Sequence, residues 1–263
     1  MAISKRQRAA YIRYAVYYLT IAVVIVMALF VDWEKLQRAM FDWAIVKEQF
    51  PRILTSAAKN TVVFTILGFA GGLSFGLLFA LMRLSTIRPY RWLAATYIEI
   101  FRGIPLLVTL LALGFGIPIA TGWNWPNPYL QGAVPLALVA SAYMAETIRA
   151  GIEAVPKGQM EAARSLGMSY PRAMITIVIP QALRIIIPPL TNEFVLLIKD
   201  TSLISVLGVT DATRDLARFG RDGVNNSANA TPLIVAGLVY LAMTLPLTQL
   251  VAYMERRAKA AGK

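Results

Sequence analysis

Six apolar runs, at about 14–31, 61–81, 97–119, 133–152, 182–209 and 231–254, limit what this chain can fold into. Each is near the roughly 20 residues that a helix needs to cross a bilayer core. In hydrocarbon every backbone N–H and C=O must find its partner within the protein, which leaves helices as the spanning elements for runs of this length. Composition agrees: 57% of the 263 residues are hydrophobic, 15% are charged, and the mean hydropathy is +0.59. The expected fold class is all-α, a polytopic helical membrane protein with about six transmembrane helices. A net charge of +12 is compatible with nucleic acid. The bases flank the apolar runs instead of lining one polar face, so nucleic acid is not expected as a partner. With no cysteine and no histidine, disulfides, thiolate nucleophiles and the usual zinc sites are excluded.

The basic residues also orient the chain. Lys5, Arg6, Arg8 and Arg13 precede the first run, which ends at Asp32-Trp33. That run is longer than a signal-peptide core, so it reads as a retained transmembrane helix with Trp33 at an interface. Arg83, Arg88 and Arg91, then Arg149, Lys157, Arg164, Arg172 and Arg184, then Arg256, Arg257, Lys259 and Lys263 fall on the same side as the N-terminus. On the opposite side the bases, such as Lys35, Lys47 and Arg214, are nearly balanced by acids such as Glu34, Glu48 and Asp215. The positive-inside rule therefore predicts cytoplasmic termini and a cytoplasmic loop at 153–180.

Several polar groups interrupt the apolar pattern. The stretch 33–54 has apolar residues at Leu36, Met40, Trp43 and Val46, which predicts one helix lying in the outer interface. Gly68, Gly72 and Gly76 recur every fourth residue and predict a close helix contact. Glu99 with Arg102, and Glu146 with Arg149, stand one turn apart and are predicted to pair as structural ions. In the fifth run Pro188-Pro189 predicts a disturbed helix, followed by Asn192, Glu193, Lys199, Asp200, Thr201 and Ser202. Groups of this kind at membrane depth face protein or a water-filled path, so these six residues are the candidate substrate pathway.

The loop at 153–180 is polar and ordered in pattern. Pro156, Lys157 and Gly158 are expected to end the preceding helix, and 159–166 to form a short one with Glu161 in its first turn. Gly167 reads as its C-terminal stop, Ser169 as the cap of a following helix, and Pro171 as tolerated in that helix's first turn. Ala162 and Ala163 allow close approach of a partner.

Glu161-Ala162-Ala163, Gly167, Ile177 and Pro180 resemble the EAA signature of bacterial ABC importer permeases, with Ile179 where the family usually has Leu. The stretch Arg102-Gly103-Ile104-Pro105-Leu106-Leu107 is similar to the RGTPLL segment of the polar amino acid subfamily (histidine, glutamine, glutamate, arginine), with Ile104 for Thr. The segments SAYMAETIRAGI and TNEFVLLIKDTSLISVLGV are also similar to that subfamily. The resemblance implies the type I ABC importer permease fold. It assigns 1–58 to an added N-terminal helix plus interfacial helix, and 59–263 to the permease domain. It also implies a coupling helix in which Glu161, Ala162, Ala163, Ser165, Leu166 and Gly167 meet an ATPase subunit.

The partners it implies are two ATPase subunits, a second permease subunit (identical or homologous), an extracytoplasmic substrate-binding protein docking near 211–229, and a polar amino acid. The location implied is the bacterial inner membrane. The chain has no G-x-x-x-x-G-K-[ST] loop, so it is expected to be no enzyme and to hold no cofactor, ATP and Mg being bound by the ATPase partner. The alternatives are an ion-gradient-driven amino acid transporter, which needs only the charges Glu146, Glu193 and Asp200, and a non-transporting assembly protein.

Overall fold

The computed structural model describes residues 5–208 and 210–261. Val209, the expected end of the fifth run, and Lys263 lie outside the described residues, as do the side chains of Lys5, Arg6, Arg8 and Lys259. The described chain is helical and contains no strand. α1 (Lys5–Phe30) stands apart, exposed over 11–30 except for half-buried Ala28. Where one interfacial helix was expected there are two, α2 (Trp33–Met40) and α3 (Trp43–Gln49). The division is local: the Asp42 carboxylate accepts the Ala44 N–H at 2.8 Å and starts a new helix, as Asp32 does for α2 through Lys35.

α4 (Lys59–Leu84) continues a π-helical turn at Ile53–Ala58, so the division expected between residues 58 and 59 does not coincide with a break in the helix. α4 runs parallel to α8 (Pro128–Glu153), Gly68 meeting Leu136, Gly72 meeting Ala140 and Gly76 meeting Met144. A Cβ at Gly76 would stand 2.9 Å from Met144 Cβ and 3.2 Å from the Ser141 carbonyl oxygen, so the glycine stripe sets how closely the two helices approach. Half of the 26 residues of α8 are buried, more than in any neighbour, because α4, α5 (Arg88–Gly103) and α11 (Ile179–Asp200) surround it.

The third expected span is not one rod. α5 ends at Gly103, Ile104 is extended (φ −91°, ψ 131°), and α6 (Leu106–Leu111) and α7 (Ile117–Thr121) leave at 103°. Pro105 causes this: its ring disfavours helical dihedrals at Ile104, and it offers no N–H. By length and composition four helical segments can cross a membrane, Tyr11–Phe30, Ile53–Leu84, Tyr170–Leu207 and Thr231–Arg257, or five with the bent pair. α8 is long enough but carries Gln131, Ser141, Glu146 and Arg149, and α4, α5 and α11 pack around it. The expected count of about six does not follow from length and composition alone.

In the fifth span the expected disturbance at Pro188-Pro189 is absent, because α11 runs through both prolines. Proline's φ near −65° is itself helical, so α11 continues although Pro188 and Pro189 contribute no N–H to it. The departures come earlier, in a π-helical turn at Met174–Val178, and later, in a 3-10 turn at Thr201–Leu207. α12 (Leu216–Ser227) then packs on α13 (Thr231–Ala261).

Candidate functional site

A cavity of about 550 Å³ opens where the α5–α6 break faces α8 and α11. Leu136, Val139, Ala140 and Tyr143 form one stripe of α8, and Glu193, Leu196, Leu197 and Asp200 one stripe of α11. Both sets follow the three-to-four-residue spacing that puts side chains on a single helix face. Arg102, Gly103, Ile104, Pro105 and Leu106 close the third side. The walls are apolar, with one guanidinium, two carboxylates and a phenol set into them.

Arg102 does not form the ion pair with Glu99 that was predicted: no such pair exists among the described residues. The last turn of α5 instead carries Arg102 over the Tyr143 ring, 5.4 Å from its centroid, while Glu99 stays exposed on another face. Glu146 and Arg149 are joined: Arg149 Nε donates to Glu146 Oε2 at 3.1 Å, and its terminal nitrogens reach Glu146 and Glu153.

Of the six candidate pathway residues, Glu193 and Asp200 line the cavity. Asn192 and Lys199 are exposed on another face of α11, seven residues apart. Thr201 is fully buried and donates to the Ile198 carbonyl at 2.7 Å, and Ser202 is half-buried. Sequence reasoning missed Tyr143, and for Arg102 it weighed substrate contact but predicted the ion pair with Glu99. Tyr143 stands one turn before Glu146, so its place near membrane depth was the available signal.

The loop at 153–180 carries α9 (Lys157–Ser165) and α10 (Tyr170–Ala173). α9 starts two residues earlier than expected, which brings Lys157 and Gly158 inside it and moves Glu161 out of the first turn. Pro156 sets this start, being the last residue before the helix. At the other end Gly167 is left-handed (φ 81°), its N–H donating to Arg164 O at 3.0 Å and the Met168 N–H to Ala163 O at 3.1 Å. Those two bonds are a Schellman motif, closed further by the Arg164 guanidinium on the Met168 carbonyl at 2.9 Å. Ser169 precedes α10 but forms no side-chain cap. Ala163 faces inward and is buried, whereas Glu161, Ala162, Ser165 and Leu166 face outward, Leu166 at 85% exposure.

A membrane-embedded helical bundle around a charged cavity, with a self-capped and outward-facing helix at one end, defines a class: the membrane subunit of a transport system. Residues 72–260 match the family of binding-protein-dependent transport system inner membrane components, and the chain belongs to that family. It is 39% identical over 200 residues to the probable glutamine ABC transporter permease protein GlnM of Bacillus subtilis (strain 168), covering 75% of this chain and 89% of the relative. It is 36% identical over 222 residues to the arginine transport system permease protein ArtQ of the same organism, covering 83% and 98%. Among solved structures, an amino acid ABC transporter crystallised with histidines has a chain 38% identical to this one, with a TM-score of 0.74 over 83% of this chain and 99% of that one. The chain is thus a multi-pass inner-membrane permease component without an ATPase motif of its own, working with an ATPase and a substrate-binding protein as separate partners.

Proposed function

We propose that this chain forms the translocation pathway of an ATP-driven importer for a polar amino acid, the cavity being the passage and α9 the coupling helix. The observation that carries the reading is the cavity's charge pattern. Every amino acid presents a carboxylate and an ammonium a few ångströms apart. Arg102 suits the first, and Glu193 and Asp200 suit the second. The apolar walls lower the local polarity and strengthen both contacts.

Two ATPase subunits, holding ATP and Mg, dock on α9 of this chain and of a second permease, identical or homologous. The second permease covers the α11 face bearing Asn192 and Lys199, because a charge left against lipid at that depth is costly. The termini and α9 are cytoplasmic, and the binding protein delivers substrate at the opposite side near 211–229. Glu161, Ala162, Ser165 and Leu166 are the contacts offered to the ATPase, with Ala163 and Gly167 fixing the helix that carries them. The chain itself needs no cofactor, and nucleic acid is no partner.

The test is Gly167→Pro, which cannot hold φ 81°. Insertion stays intact while ATP hydrolysis uncouples from uptake. Normal binding-protein-stimulated ATPase activity in that variant counts against the coupling role. Glu193→Gln and Asp200→Asn each lower uptake, and unchanged uptake and selectivity would remove the cavity from the pathway.

A further inference from the structure

Asp215 is a fully buried carboxylate with no part in the cavity or in α9. It caps α12, accepting the Ala217 N–H at 2.8 Å and the Arg218 N–H at 3.3 Å. It forms no ion pair among the described residues, for Arg218 turns to Asp222 and Arg214 lies over the Phe219 ring. One side chain hydrogen bond reaches it: the Tyr240 hydroxyl of α13 donates to Oδ2 at 3.2 Å. The same hydroxyl lies 3.4 Å from Thr201 Oγ1. Tyr240 gives its proton to Asp215 and Thr201 gives its own to Ile198, so Tyr240 donates to Thr201 only when Asp215 is protonated and itself donates to the Tyr240 oxygen. Thr201 is fully buried and is the chain neighbour of Asp200, which lines the cavity.

The N-terminal half of α12 is held by other elements as well. The Leu216 N–H donates to Thr61 Oγ1 of α4 at 3.1 Å, and Asn60 Nδ2 donates to the Ala212 and Arg214 carbonyls at 2.9 Å each. Arg221 donates to the Ser205 carbonyl of the 3-10 turn at 2.8 Å. The far end of α12 is exposed at residues 225–228, though Gly223 packs on Pro232 and the turn beyond it is bonded to α2 through Asn229 to Arg38 O and Ala230 to Ala39 O. A capping serine or asparagine would start α12 without burying a carboxylate, so the choice of Asp calls for another reason.

We propose that Asp215, Tyr240 and Thr201 form a latch through which α12 sets the position of Asp200, Asp215 and Tyr240 being positioning residues for transport. The inference rests on the reading of the cavity as the passage. The partner that works the latch is the extracytoplasmic binding protein, which meets the exposed end of α12. A load on that end shifts the capped end along α13, and the strain passes through Tyr240 and Thr201 into the last turn of α11.

The groups facing Asp215 are Thr61 from α4, Thr201 from the 3-10 turn, Tyr240 from α13, and, on its own segment, Arg218, paired with Asp222, and Arg214, which lies over the Phe219 ring with its Nε buried and unpartnered. Burial pushes the Asp215 carboxyl up to about 6. In an open latch the group meets water and returns toward about 4. The latched state therefore binds the proton more tightly. The latch strengthens as pH falls from about 6 toward 4 and loosens as pH rises through 6.

The natural chain contains no cysteine, so a single introduced thiol reports on its own position. Leu196→Cys places one in the cavity wall, at a residue that is 39% exposed. Its labelling by a charged, membrane-impermeant maleimide is followed in the assembled complex in native membranes, from pH 5 to 8. At pH 5, where Asp215 is protonated, Tyr240→Phe and Thr201→Val each raise the rate about fivefold, the worth of one net hydrogen bond. The double variant exceeds neither, and Thr201→Ser matches the parent. Thiol ionisation is removed by taking the ratio of the parent rate to that of Asp215→Asn at each pH, and this ratio climbs as pH rises through 6. Equal rates in all variants, multiplying effects of Tyr240→Phe and Thr201→Val, or a flat ratio overturns the latch. The labelling needs no transported substrate. If Asp200→Asn leaves uptake untouched while the labelling follows the latch, only the passage reading falls.

Discussion

α9 and α12 are alike in outline and opposite in construction. Both are short and polar, of 9 and 12 residues, and both are followed by a left-handed position, Gly167 at φ 81° and Ala228 at φ 49°. In α9 only Ala163 is buried, and the C-terminus is closed by its own backbone. In α12 Leu216, Phe219 and Gly220 are buried, and the N-terminus is tied to α4, α13 and the 3-10 turn by side chains. Helices this short are marginal alone. α12 takes its stability from the rest of the chain, whereas α9 caps itself and leaves its outer face exposed. The lesson is one of division: one helix is fixed by the chain's own interior, the other by its own backbone with its outer face exposed.

The largest effect expected is from Gly220→Val, which attacks the packing of α12. A Cβ there stands 3.0 Å from Leu233 Cα and 3.0 Å from Ala236 Cβ, and a backbone atom has little room to yield. Overpacking of this kind costs about 1–3 kcal/mol. Thermal unfolding of the detergent-purified chain shows it as a lowered Tm. Leu166→Glu attacks α9 and comes next. Its expected cost is about 2 kcal/mol of ATPase affinity, on the order of 30-fold, with Tm unchanged because Leu166 touches little within the chain. If Leu166→Glu lowered Tm as Gly220→Val does, the two helices would be built alike and the contrast would fail.

Much of this contrast was legible in the amino-acid order, for reasons that are local. The α9 stop at Gly167 follows from glycine's access to positive φ, whereas the separate starts of α2 and α3 at Asp32 and Asp42 went unread within a stretch expected to be one helix. Proline misled in both directions. Pro105 sits in an apolar run whose hydropathy concealed the break, while Pro188-Pro189 advertised a break that does not occur. A missing N–H weakens a helix, but whether the helix turns there depends on what packs around it. Asp215 was legible only as one more acid of an outer loop. Its burial depends on Tyr240, 25 residues away, and its helix is held by Thr61, 155 residues from Leu216, and no local pattern encodes such distances. The cavity is of the same kind, joining stripes of α8 and α11 to a hinge none of whose neighbours is close in the chain.

The smallest effect expected sharpens the contrast most, because it should improve one property and leave the other alone. Gly158 is the second residue of α9, and a Cβ there meets nothing within 4 Å. Alanine is favoured over glycine in a helix by up to about 1 kcal/mol, less in the first turn, chiefly because glycine leaves the unfolded chain more freedom to lose. If α9 is held in place only when the ATPase grips it, Gly158→Ala lowers the ordering cost at that moment and tightens ATPase binding by about twofold to fivefold. The Tm of the permease alone stays where it was, since α9 does not hold the bundle together. Titration of the ATPase against the purified permease, alongside a melting curve of the same sample, reads both quantities. A raised Tm with unchanged affinity would mean that α9 is already a fixed part of the chain's own core, as α12 is.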